Sequence, residues 1–160
     1  MSRETVRLAA YNYLTAQHFQ GIQVYEAMPK ETVPPDSITL TTAALFPITG
    51  VQEEKRIGMG AKQITYTVTL QLAAFSNQER GEDAQSDFDA MAERVMAAIR
   101  ADPTLGTASK PDPVFQAGEG DGVGTPDLKL QQDVPVLALA EAGVHIWGHL
   151  DVTALEIINA

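Results

Sequence analysis

The stretch Ile64-Thr65-Tyr66-Thr67-Val68-Thr69-Leu70-Gln71-Leu72 constrains the fold more than any other part of the chain. Its even positions are large and apolar and its odd positions are Thr or Gln, the period of a strand with one buried face and one polar, uncharged face. The polar face is open to two readings, contact with solvent or packing on a neighbouring subunit. Around this strand, the segments Ile48 to Ile57 and Lys62 to Phe75 flank Gly58-Met59-Gly60. That arrangement predicts a long β-hairpin whose tip uses glycine for positive φ.

Two helices are expected beside it. Residues 2 to 19 open with Ser2 as a cap, and Val6, Ala9, Ala10, Tyr13, Leu14 and Gln17 follow helical spacing up to Gly21. Ser76-Asn77-Gln78-Glu79 has the capping-box spacing, after which Ala84, Phe88, Met91, Ala92, Val95 and Ile99 mark one face of a helix that stops at Asp102-Pro103. Acidic residues crowd its first turns and Arg94 and Arg100 come late, as the helix dipole favours. Short strands are read at 22 to 28 and at 38 to 45, the second stopped near Pro47. Residues 134 to 140 are an apolar segment, strand or helical turn. Val144 to Ile158 reads as a last strand with Gly148 as a candidate bulge. Between Pro103 and Pro126 the chain gathers Pro and Gly without a sustained period, predicting a long loop, extended to 103–130 with its flanks.

A chain of 160 residues with 44% hydrophobic positions can bury a core as one domain without a disulfide or metal staple, in keeping with its zero cysteines. Lack of Cys excludes a thiolate nucleophile, a CxxC redox pair and Cys-based zinc or iron–sulfur sites, and permits a reducing compartment. The first residues have no apolar signal-like core and no run of about 18 apolar residues occurs, so neither a visible secretion signal nor a membrane span is expected. With 11 Lys plus Arg against 21 Asp plus Glu, the net charge is -10, which disfavours binding to a phosphate backbone. The densest basic group, Lys55-Arg56 with Lys62, is offset by Glu53 and Glu54.

Motifs for chemistry are weak. His145 and His149 share a strand face with Trp147, but four residues at 3.3 Å each put the imidazoles about 13 Å apart, too far for one ion. The three are instead read as a candidate contact with a neighbouring subunit. Gly118 to Gly124 alternates glycines like a phosphate-cradling loop, yet Glu119 and Asp121 would repel phosphate and no Gly-Lys-Ser/Thr follows. A calcium site from Glu119, Asp121 and Asp127 lacks EF-hand spacing. There is no GxSxG elbow, and 21 acids supply chance pairs everywhere. No catalytic, cofactor or metal residue is assigned, and the chain is read as one that assembles rather than catalyses.

The order of elements resembles the tail terminator, or tail completion, proteins of long-tailed bacteriophages. The likeness is carried by Ile22 to Pro29 after the first helix, by Tyr66 to Ser76 leading into Asp83 to Arg100, by the Ala101-Asp102-Pro103-Thr104-Leu105-Gly106 exit, and by His145 to Val152. It covers nearly the whole chain by pattern more than by motif, and the Gly-rich loop is longer than the family pattern requires. The resemblance implies an α+β subunit: a mostly antiparallel sheet with two helices packed on one side, a long β-hairpin and one long Gly/Pro-rich loop. It further implies a virion protein, assembled in the host cytoplasm, that closes as a homohexameric ring on the head-proximal end of the tail tube. Its partners would be itself, the tail tube protein and the head–tail connector, and DNA would pass the acidic lumen without specific binding. The hairpin residues Glu53, Glu54, Lys55, Arg56, Met59 and Lys62 are the candidate subunit or tube interface. Two rivals are weighed: a connector or tube-like protein of the same virion, and a small enzyme or ligand-binding domain using residues 103 to 130 as a lid over Glu119, Asp121 or His145.

Overall fold

A computed structural model describes residues 2–27, 41–76, 81–107, 114–116, 128–133, 136–137 and 144–159. The chain is α+β: two helices pack on one face of a mixed, mostly antiparallel sheet. Helix α1 spans Arg3–Ala16. Ser2 caps it by accepting the Thr5 N–H on its hydroxyl at 3.2 Å, and Val6, Ala10 and Leu14, one turn apart, are its buried stripe. It stops at Ala16, before Gly21, because His18 already adopts a φ of 51° that no helix continues. Helix α2 spans Gly81–Ala101 and buries Phe88, Met91, Ala92, Val95 and Ile99 of the expected stripe; the side chain of Ala84, its first member, lies outside the described residues. Ser76 ends a strand, and the expected capping box, the Ser76 side chain with 77–79, lies outside the described residues.

The sheet runs β1 (Ile22–Val24), β2 (Thr41–Gly58), β3 (Ala61–Ser76), β7 (Val144–Asn159), with β4 (Val114–Gln116), β5 (Leu130–Gln132) and β6 (Val136–Leu137) each pairing a different part of the outer edge of β7. Among the described strands only β1 on β2 is parallel. The undecided segment 134–140 thus contributes a two-residue strand at 136–137, and the expected loop 103–130 contains one short strand, β4, and ends on the first residue of β5; Glu119, Asp121 and Asp127 lie outside the described residues. On β3 the alternation holds: Ile64, Tyr66, Val68, Leu70, Leu72 and Ala74 face the helices and are buried.

Pro47 does not stop a strand. Strand β2 passes through it, with Pro47 opposite Leu70. The reason lies in the direction of its missing N–H. The Tyr25 N–H donates to the Leu45 carbonyl at 2.8 Å, so the backbone groups of Leu45 are directed away from β3, and alternation sends those of Pro47 and Thr49 the same way. Described pairing with β1 ends at Leu45, so the proline removes no hydrogen bond of the β2–β3 ladder. Arg3 uses this edge next, donating to the carbonyls of Thr49 at 3.0 Å and Gly50 at 3.1 Å and fixing the start of α1 against β2.

Gly148 is not a bulge either. Its register with Leu72 is continuous, and it lies on the helix side, where a Cβ would meet Cζ of Phe88 at 2.6 Å and the Gln131 carbonyl oxygen at 3.1 Å. Glycine is required here for close approach of α2.

The two helices are tied by the Tyr13 hydroxyl, which donates to the Ala98 carbonyl at 2.6 Å. After α2, the Asp102 carboxylate accepts from the Thr104 hydroxyl at 2.6 Å, the Thr104 N–H at 3.0 Å and the Gly106 N–H at 2.9 Å. The Thr104 hydroxyl leads in holding this carboxyl below its ordinary pKa, helped by the two N–H donors and opposed by burial. Burial, and then the charge of Asp102, pushes the Tyr13 hydroxyl up. The signs give two opposite limbs. The depressed Asp102 pKa adds stability above the unfolded value near 3.9, lost as pH falls through the folded one. The raised Tyr13 pKa adds stability below its unfolded value near 10, lost as pH rises through the folded one. Asp102→Ala is expected to cost about 1–2 kcal/mol at neutral pH and flatten the acid limb of the Tm-against-pH curve; an unchanged acid limb would show that this turn does not contribute.

Candidate docking surface

Beyond the point where Arg3 grips β2, the sheet continues as an arm. Strands β2 and β3 stay paired to Gly58 opposite Ala61, and β7 accompanies β3 to Asn159 opposite Ala61. Every residue from 51 to 60 is exposed, and Met59 at the tip is fully so. The turn needs one positive φ, supplied by Gly60 at 87°; Gly58, expected to share that task, does not adopt one.

Two bulges shape the arm. Thr49 faces Val68 while Gln52 faces Tyr66, and Arg56 faces Lys62 while Gly58 faces Ala61, so β2 carries one extra residue at each place. Between the bulges, Gln52 to Arg56 is regular. Glu53 and Lys55, opposite Thr65 and Gln63, lie on the face turned away from the helices; Glu54 and Arg56, opposite Ile64 and Lys62, lie on the helix-side face. Lys62 Nζ sits 3.8 Å from Glu54 Oε2, an exposed pair worth little for stability. The predicted interface residues Glu53, Glu54, Lys55, Arg56, Met59 and Lys62 are therefore brought together at the exposed end of one hairpin.

Sequence reasoning missed its apolar members. Val51 is 60% exposed and Ile57 45%, because each sits in a bulge that breaks the alternation, whereas Ile48, just before the arm and 38% exposed, lies in regular register opposite Thr69 on the face away from the helices.

The other predicted group lies about the middle of the sheet. Trp147 is opposite Ala73 and packs with Ala44, Ala73 and Tyr25 on the face away from the helices. His149 is opposite Gln71, and its Nδ1 lies 4.0 Å from Asp133 Oδ1, an ion pair when the imidazole is protonated. Asp133 is held there by its N–H, which donates to the Trp147 carbonyl at 2.8 Å. The backbone of His145 pairs with Phe75 and Val136, and its side chain lies outside the described residues. Trp147 and His149 thus share a face, half-buried and remote from the arm. The polar face of β3 is half-buried as well, with the Thr69 hydroxyl donating to Asp151 Oδ1 at 2.7 Å and the Gln71 amide donating to the Gly148 carbonyl at 2.9 Å.

Among the described residues, no three His, Asp or Glu side chains gather closely enough to hold a metal ion, and no helix is long and apolar enough to cross a membrane. No family model and no curated protein matches the chain.

Proposed function

We propose that this chain is a structural subunit of a long-tailed phage particle that closes as a ring of six copies on the head-proximal end of the tail tube, stops tube growth and offers a surface to the head connector. The observation that carries the reading is the arm: residues 51 to 60 bury no side chain in the core, yet a three-stranded ladder holds them in fixed register with both charge signs and an apolar tip. Such a structure is suited to docking on a complementary surface. Capping then follows from asymmetry. One ring face copies the docking surface of a tube subunit and the other does not, so a heterologous contact is used once and cannot propagate.

The test is growth of a tail tube in vitro. Added in small amounts to an assembling tube protein, the chain is expected to shorten the tubes in proportion to its concentration. Unchanged lengths would overturn the reading, and incorporation along the tube would replace it with a tube-like role.

A further inference from the structure

We propose that the free edge of β2, residues 51–57, pairs antiparallel with the same segment of a second copy of this chain, with Glu54 facing Glu54 of the partner subunit. This goes beyond the ring reading and does not depend on it.

The edge is open. No described strand pairs β2 on that side beyond Leu45, and residues 51 to 57 are all exposed. It also carries hydrogen-bonding groups in phase. Thr49 directs its N–H and C=O away from β3, and because the bulge between Thr49 and Gln52 spans two steps of β3, Gln52 does the same, as do Glu54 and Arg56 by alternation. An edge of this kind is a template for another strand.

Self-pairing is favoured by symmetry in the segment itself, Val51-Gln52-Glu53-Glu54-Lys55-Arg56-Ile57. The regular part, 52 to 56, is centred on Glu54 and ends in a bulge on both sides. A two-fold axis through Glu54 sets Glu53 opposite the partner's Lys55 twice on one face, and Gln52 opposite the partner's Arg56 twice on the other. It also sets exposed Val51 opposite the partner's exposed Ile57. The two Glu54 side chains meet at the axis, but each has its own Lys62 at 3.8 Å and the partner's Arg56 on the diagonal, so two cations stand beside each of these acids. Gln52, Glu54 and Arg56 then exchange their outward N–H and C=O groups with the second copy. Paired in this way, the edge is covered until another partner displaces the contact.

The chain has no cysteine, so a single introduced thiol reads the register. Glu54→Cys is expected to form a disulfide-linked dimer on mild oxidation, since facing residues lie within disulfide reach, whereas Lys55→Cys is not, its partner being a diagonal about 7–8 Å away. Without oxidation, the mass by light scattering is expected to rise from 17.2 kDa toward twice that value with concentration. Lys55→Glu, which sets Glu53 against Glu, is expected to weaken the dimer at least about tenfold, and the swap Glu53→Lys with Lys55→Glu to restore it. Glu54→Pro is expected to abolish it with an unchanged circular dichroism spectrum, because that N–H, like the position of Pro47, serves no β2–β3 bond. A monomer at every concentration, a swap that fails to rescue, or a disulfide at Lys55→Cys in place of Glu54→Cys overturns the proposal.

Discussion

Gly148→Val is expected to destabilise the protein more than any other single change on β7, by about 3–5 kcal/mol, a fall in Tm on the order of 10 °C. Alanine at this position already places a Cβ 2.6 Å from Phe88 Cζ and 3.1 Å from the Gln131 carbonyl oxygen, and neither can move cheaply. Phe88 is only 1% exposed within the main core, and Gln131 belongs to a strand paired with β7. The cost of overpacking rises with each further methyl. Thermal denaturation of Gly148→Ala, Gly148→Val, Phe88→Ala and the double variant checks the cause. Shortening Phe88 should relieve much of the penalty of Gly148→Ala, giving a coupling on the order of 1 kcal/mol or more. Simple additivity would mean that the ring is not what makes glycine necessary.

The second large effect is on assembly. Reversing Glu53, Glu54, Lys55 and Arg56 together is expected to abolish docking on tail tubes while leaving Tm within about 1 °C, because all four are exposed and the ion pair of Glu54 with Lys62 is a surface pair. With Lys62→Glu added, the reversal keeps residues 53 and 55 of opposite sign and gives residue 54 a neighbour of opposite charge at 62, so self-pairing of the edge should survive it. Loss of docking with retained self-association therefore separates the two contacts. Normal tail length and infectivity in a phage carrying the reversal would argue that the arm does not contact the tube.

Which of these features could be read from residues alone follows from how local their causes are. The faces of α1, α2 and β3 are written in side-chain periods, and Val6, Ala10, Leu14, Phe88, Val95, Val68 and Leu70 are buried where those periods put them. Pro47 and Gly148 were misread because each residue type has two meanings within a strand, and the choice depends on a neighbour distant in sequence. Whether proline ends a strand depends on which side its N–H faces, a matter decided by β1 and the Tyr25 to Leu45 bond. Whether glycine marks a bulge or a close approach depends on where Phe88, 60 positions earlier, comes to rest. The charged members of the arm were legible because a mixed-sign run beside a Gly-Met-Gly tip reads as exposed. Val51 and Ile57 were not, since their exposure comes from two bulges that a composition of apolar and polar letters does not reveal.

Imaging tests the capping reading most directly. Purified chain mixed with matching tail tubes and viewed by negative-stain electron microscopy is expected to give six-fold rings seated at one end of each tube, with no further growth from that end. Chains that leave both ends bare and growing, at concentrations well above the number of tube ends, would contradict it.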